Sequence, residues 1–300
     1  MNNEVQRRFI LGDQWAYFKI YSGPKTLETI LTRELHQVVT ELFQTKIIDK
    51  FFFIRYTDPD YHLRIRFHLR DVSKLNVVIR LLNNSLKYYL DNRLVWNVSA
   101  DTYSRELERY GKLTITEMES LFCLDSLAIV NFLKETEEAG NDLIKWLWGV
   151  KCMDVLLEQF GLSLSDKIKF YKMLNDGYSS EFQINKSMRI QLDKKYRKEI
   201  KHITNIIDLE NGKNFPGLGH ISGYMSSAQP IIQDIVKISD QGKIEMPLNN
   251  LLSSLVHMHF NRLFRTKQRM HELVVYYFMC KFYSSQAARL QYGVENKVNK

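Results

Sequence analysis

The segment His62-Leu63-Arg64-Ile65-Arg66-Phe67-His68 alternates without a break between apolar and basic residues. A period of two marks a half-buried β-strand, with Leu63, Ile65 and Phe67 on one face and His62, Arg64, Arg66 and His68 on the other. A chain carrying it must build a sheet with one apolar and one cationic side. The preceding Phe51–Tyr56 reads as a second strand, rich in aromatic residues. Between them, Thr57-Asp58-Pro59-Asp60-Tyr61 is turn chemistry, because Pro presets φ and Asp side chains bond the local backbone. Together they predict a β-hairpin. Arg64 and Arg66 would project side by side, roughly 6.5–7 Å apart along the strand. Two guanidinium groups that close repel. The pair suits an exposed face, acidic neighbours or an anionic ligand, and the planar fork matches a carboxylate with two parallel hydrogen bonds.

Other elements follow from periodicity. Asp13–Tyr21 alternates, with Trp15, Tyr17 and Lys19 on one face and Ala16, Phe18 and Ile20 on the other. Helical spacing of Leu27, Ile30, Leu31, Leu35, Val38, Val39 and Leu42 predicts a helix over Lys25–Lys50. Ser73–Asn92 reads as a helix and Leu94–Val98 as a short strand. From about Thr116 the pattern is helical, over 116–139, 141–160, 163–176, 185–209, 230–239 and 249–284. The stretch Asn211–Ser227 reads as a loop. The expected fold class is α+β, an N-terminal antiparallel sheet with a predominantly helical body, as one domain over residues 1–300. Only 13 Gly and 5 Pro among 300 residues argue against a turn-dense all-β fold.

Composition narrows the function classes. Glu4, Arg7 and Arg8 make the N-terminus unlike a signal peptide. The longest apolar run, Leu273–Cys280, is far short of the ~20 residues of a membrane span. The 3 cysteines are far apart with no CxxC, which favours a reducing compartment, and a cytoplasmic location is expected. The net charge of +8 invites a nucleic-acid reading, as do the seven basic residues against two acidic ones over Lys186–His202. A solvated helix face with Ile190, Leu192, Tyr196 and Ile200 as its buried stripe is the simpler account. Gly217-Leu218-Gly219-His220-Ile221-Ser222-Gly223 resembles a dinucleotide loop but is one residue too long and follows no strand. No metal-ligand spacing or nucleotide motif stands out, so no metal and no cofactor are expected.

Two further segments carry polar chemistry. In Tyr103-Ser104-Arg105-Glu106-Leu107-Glu108-Arg109-Tyr110-Gly111, Arg105 and Arg109 would share a helix face, with Gly111 as the C-cap. In His257-Met258-His259-Phe260-Asn261-Arg262, the residues His257, Asn261 and Arg265 would form one polar line on an apolar helix. Asn261 could then fix the tautomer of His257, making it a candidate general acid–base.

Taken in order, these segments resemble the elimination domain of lantibiotic dehydratases of the nisin type, also called thiopeptide-type bacteriocin biosynthesis proteins. The matching stretches are Trp15–Tyr21, Phe53–Pro59 running into His62–Phe67, Tyr103–Glu106, Arg109–Gly111, Asp125-Ser126 and His257–Leu263. Lys112 departs from the pattern, where many members have a second Gly. The resemblance implies expulsion of glutamate from glutamylated Ser or Thr of a ribosomally made precursor peptide, leaving dehydroalanine or dehydrobutyrine. It implies Arg64, Arg66 and Arg105 as glutamate-gripping residues and His257 as the proton-transfer group, with His259 as runner-up. Asn261, Arg262, Tyr103 and Arg109 are implied as further substrate-binding residues. It also implies a standalone subunit that depends on a leader-bearing precursor peptide and on a separate glutamyl-tRNA-dependent glutamylation subunit, with no tRNA requirement of its own. Homo-oligomerisation is left open. The same family fold serves as a pyridine-forming [4+2] cyclase acting on dehydroalanines; its members tend to lose the arginine set, so the arginines favour elimination. A non-catalytic peptide-binding subunit is the third reading.

Overall fold

In the computed structural model, which describes residues 5–137, 142–208 and 215–298, the alternating segment lies inside an antiparallel sheet. The strands are β1 (Arg8–Phe9), β2 (Trp15–Ser22), β3 (Ile48–Tyr56), β4 (His62–Leu69), β5 (Val95–Ala100) and β6 (Tyr103–Ser104). Four of them pair in the order β3-β4-β2-β5, and β1 pairs with β6. The register sets rows of side chains across the sheet. Phe51, Phe67 and Ala16 are aligned, then Phe53, Ile65 and Phe18, then Leu63 and Ile20. All are buried. The opposite face carries the rows Phe52, Arg66, Tyr17 and Ile54, Arg64, Lys19 and Tyr56, His62, Tyr21. One face is therefore apolar, apart from buried Arg55 beside Leu63, and the other basic and aromatic, as the alternation requires.

The helices are α1 (Pro24–Ile30), α2 (His36–Gln44), α3 (Leu75–Asp91), α4 (Leu107–Tyr110), α5 (Ile115–Glu135), α6 (Asp142–Gln159), α7 (Leu164–Glu181), α8 (Lys186–Ile207), α9 (Leu218–Asp240), α10 (Leu248–Leu263) and α11 (Gln268–Val298). The α+β class expected from the sequence holds. The chain divides into two compact units, Met1–Gly140 with Asn214–Thr266, and Asn141–Lys213 with Lys267–Lys300. In the first, α1, α2 and α3 pack against the sheet, while α5 and α10 contact β3 and α9 packs on α5. In the second, α7 packs on α11 and α6 on α8. A Ser163–Asp166 capping box starts α7, and buried Lys167 pairs with Asp154.

Several boundaries differ from the sequence reading. The helix expected over Lys25–Lys50 ends at Gln44, after a π-helical turn at Leu31–Leu35. Lys46 takes a φ of 57°, and Ile48–Lys50 join β3, because pairing with Leu69 and His68 satisfies their backbone better than one more helical turn. The span 249–284 is two helices. Phe264 turns extended and Lys267 takes a φ of 55°, which ends α10 and restarts the chain as α11. Gly217–Gly223 is not a loop. Gly217, at φ 76°, precedes α9, whose first turns hold Leu218–Gly223, so the glycines leave no phosphate-cradling loop. Within the loop expected at Asn211–Ser227, residues 211–214 lie outside the described residues. On α8 the expected stripe is half-buried at best, with Ile190 exposed; Ile203 and Ile206 bury instead.

The outer edge of β3 is closed by side chains. The Phe51 N–H donates to Cys123 Sγ (3.3 Å) and the Phe53 N–H to Ser126 Oγ (3.3 Å), both from α5. From α10, Asn261 clamps Arg55 on both sides of its Cα, accepting from its N–H and donating to its C=O at 2.9 Å each. Arg262 Nε donates to the Phe53 C=O at 2.9 Å. Asn261→Leu would orphan two buried backbone groups at once. We expect a loss of about 2–4 kcal/mol in urea unfolding; an unchanged midpoint would show that the clamp contributes nothing.

Candidate active site

Above the basic face of the sheet is a cavity of about 360 Å3. Its floor is Arg64 and Arg66 of β4 with Phe52, Ile54 and Tyr56 of β3. Tyr103, Ser104, Glu106, Arg109 and Tyr110 form one wall, Phe122 of α5 another, and His257, Met258, Asn261 and Arg262 of α10 complete it. Strand alternation puts both arginines on this face, and helical spacing brings His257, Asn261 and Met258 round from α10.

Arg66 decides the character of the cavity. It is 8% exposed, and its guanidinium carbon sits 4.4 Å from the ring centre of Tyr17, 4.9 Å from Tyr103 and 5.1 Å from Phe52. Among the described residues it makes no hydrogen bond or ion pair, and its buried Nε has no partner. Burial pulls its pKa below the ordinary arginine value, a sign that the charge is poorly solvated. Aromatic faces recover part of that cost but offer no acceptor. A buried cation is normally paired, and among the described residues Arg66 has no such partner. Arg262 adds a second donor: its Nη2 is buried and without a partner.

Arg64 is held more loosely. Its guanidinium stacks 3.5 Å over Tyr56, and its Nε donates to His62 Nε2 at 3.0 Å. The His62 Nδ1 in turn donates to the Asp60 carbonyl at 2.8 Å. Burial lowers the pKa of His62, consistent with the neutral ring this chain of bonds requires. Burial likewise raises Tyr17 and, together with Glu119, Tyr103, so both phenols stay neutral.

The residues singled out from sequence do not all meet here. Arg64, Arg66, Tyr103, Arg109, His257, Asn261 and Arg262 line the cavity. Arg105 does not. Its Nε and Nη2 form a two-pronged pair with Glu119, each bond 2.7 Å, and Glu119 also accepts from the Tyr103 hydroxyl at 2.9 Å. Glu119 is fully buried, so Arg105 acts behind the wall, fixing Tyr103. His259 is also withdrawn, with Nδ1 donating to Asp125 at 2.7 Å. The expected Asn261–His257 coupling is replaced by the Asn261 clamp on Arg55, which commits the amide to backbone. Glu106, the single carboxylate among the lining residues, pairs with Arg109 at 3.1 Å. Sequence reasoning missed Glu106, Tyr56 and Tyr17 as site residues. Their shared signal was the period-two face of the sheet and, for Glu106, its place beside Arg105.

An α+β unit with an arginine-lined cavity on the basic face of its sheet is the class these features define. The sequence model of the family described as lantibiotic biosynthesis dehydratase C-term matches residues 15–283, and the chain belongs to that family. It is 27% identical over 289 residues to the nisin biosynthesis protein NisB of Lactococcus lactis subsp. lactis, covering 94% of this chain and 27% of NisB. The chain spans about a quarter of the length of the curated relatives it matches. In fold it is similar to the tRNA-dependent lantibiotic dehydratase MibB from Microbispora sp. 107891, with a TM-score of 0.68, 20% identity and coverage of 93% of this chain and 29% of that one. It is also similar to the pyridine synthase TbtD from thiomuracin biosynthesis, with a TM-score of 0.67, 13% identity and coverage of 91% of this chain and 98% of that one. No described helix is long and apolar enough to cross a membrane.

The anchor of the α10 wall titrates. Burial pushes Asp125 up, but His259 and the Arg262 guanidinium, 2.8 Å away, outweigh it and hold its pKa below the ordinary 3.8. A carboxylate depressed by folding stabilises the native state above its unfolded value, and that contribution is lost as pH falls through the folded value. Thermal unfolding of the wild type is expected to lose stability as pH drops below about 4. Asp125→Asn should be less stable at neutral pH and flatter on the acid side; equal acid slopes would remove Asp125 from the linkage.

Proposed function

We propose that the chain catalyses β-elimination of glutamate from glutamylated Ser or Thr of a ribosomally made precursor peptide, giving dehydroalanine or dehydrobutyrine. The observation that carries the reading is Arg66, a buried guanidinium without an anionic partner, facing the same cavity as a histidine in a chain of this family. The Cα proton is taken by a base, the Cβ–O bond breaks, the Cα–Cβ double bond forms, and glutamate leaves as a carboxylate. Arg66, with Arg64 and the open donor of Arg262, binds the departing anion and lowers the barrier by stabilising charge as it develops. His257 carries the proton, as base toward Cα or as acid toward the leaving oxygen. A glutamyl group esterified through its α-carboxyl also presents an ammonium, for which Glu106 is the available acceptor. Arg109 holds Glu106, and Arg105 through Glu119 holds Tyr103, so both act by positioning. Asn261 and His259 act on the frame of α10.

The substrate must first be glutamylated, which requires a glutamyl-tRNA-dependent transfer by another protein or domain; elimination itself needs no tRNA. The likeness to a pyridine synthase is one of fold. Joining two neutral dehydroalanines gives a buried arginine nothing to bind, so the pocket favours elimination over cycloaddition.

Mass spectrometry of a peptide bearing one O-glutamylated Ser tests the reading. The wild type should release glutamate and leave a dehydrated peptide. Arg66→Ala and His257→Ala should each slow this by about 10²–10⁴-fold, with the glutamylated peptide persisting. Wild-type turnover by either variant would remove that residue from the mechanism. Macrocycle formation from a dehydroalanine-rich peptide, without glutamate release, would replace elimination by cyclisation.

A further inference from the structure

The two edges of the four-stranded sheet are treated differently. At β3, five side-chain bonds from α5 and α10 close the outward backbone groups of residues 51, 53 and 55. At β5, the opposite edge, nothing comparable occurs among the described residues. The Asp101 N–H donates inward to the Tyr17 C=O at 3.1 Å. By the antiparallel alternation, Ser99 and Asn97 also turn their backbone groups toward β2, and Val98 and Ala100 turn theirs outward. No hydrogen bond from a described residue reaches those outward groups.

The strand Val95-Trp96-Asn97-Val98-Ser99-Ala100 contains no charge and no Pro, the devices that usually guard an edge. Beside it, Trp96 is 54% exposed and Leu94 41%. Ser99 lies opposite Lys19, and Lys19 opposite Arg64, so one face runs unbroken from this edge to the cavity floor.

We propose that the outer edge of β5 accepts an extended segment of the peptide substrate as an added strand; the identity of this occupant rests on the elimination reading. Main-chain bonds to Val98 and Ala100 would supply affinity with little dependence on sequence, and Trp96 would cover an apolar side chain. An added strand lies three strand spacings from β4, about 14 Å. Four or five extended residues span that distance. The edge therefore holds a part of the peptide remote from the glutamylated residue, and a short substrate cannot reach both places.

Two O-glutamyl-serine peptides test this, one with two flanking residues on each side and one with ten. With the wild type, the long peptide should show a KM about tenfold lower. Val98→Pro removes an outward donor at a position where an edge strand tolerates Pro, and Ala100→Lys adds an edge charge. Each should erase the length advantage and leave turnover of the short peptide unchanged. Equal KM values for the two peptides in the wild type, or a length advantage that survives both variants, would overturn the proposal. If neither peptide is turned over, the elimination reading fails separately, and hydrogen exchange of residues 95–100 with the long unmodified peptide reads the edge by itself. Slowed exchange supports strand addition, and unchanged exchange overturns it. Protection that instead rises with protein concentration alone would assign the edge to a second copy of the chain and likewise overturn it.

Discussion

The closed edge of β3 is the constraint on which the site depends. An edge strand leaves alternate N–H and C=O groups without partners, and burying them unsatisfied is costly. Here α10 lies against β3 because Asn261 and Arg262 complete the backbone bonds of Arg55 and Phe53. Asp125 on α5 then holds Arg262 and His259 together. Once those bonds are made, the rotation of α10 is set, and His257 and Met258 have no other face to occupy than the cavity wall. His257 is thus placed by residues whose bonds run to the β3 backbone and to Asp125.

The arginines divide according to their partners. Arg105 is matched by buried Glu119, Arg55 by Glu28 and a carbonyl, and Arg262 in large part by Asp125. Arg105 and Arg55 are neutralised and serve as struts, while Arg262 keeps its Nη2 open. Arg66 lies against the rings of Tyr17, Tyr103 and Phe52 and pairs with no carboxylate among the described residues. A cation desolvated without a counter-charge is destabilised, and an entering anion relieves that cost. That asymmetry suits a step in which a carboxylate appears as a leaving group.

Much of the fold was legible because its periodicities were clean. The Leu63–Arg64–Ile65–Arg66–Phe67 alternation fixed strand, face and arginine projection, and the register bore it out. Helix ends were less legible. Nothing local in Thr45–Lys50 outweighs a helix until β4 is there to pair with it, and the helix break at Phe264–Lys267 has no Pro or Gly to announce it. The site was legible by residue type but not by partner. Arg105 and Arg66 look equivalent in sequence, and only Glu119, fourteen residues on, separates a strut from a binding group. Likewise the i,i+4 spacing of His257 and Asn261 is real, yet the amide is taken by a strand some two hundred residues away.

On this reading Arg66 is a carboxylate-binding group. Calorimetric titration with free L-glutamate, compared with glutamic acid dimethyl ester, tests it without requiring turnover. Saturable binding of glutamate, at least about tenfold tighter than the ester and weakened by rising salt, is predicted. Equal affinity for the two, or no binding of glutamate at millimolar concentration, would contradict it.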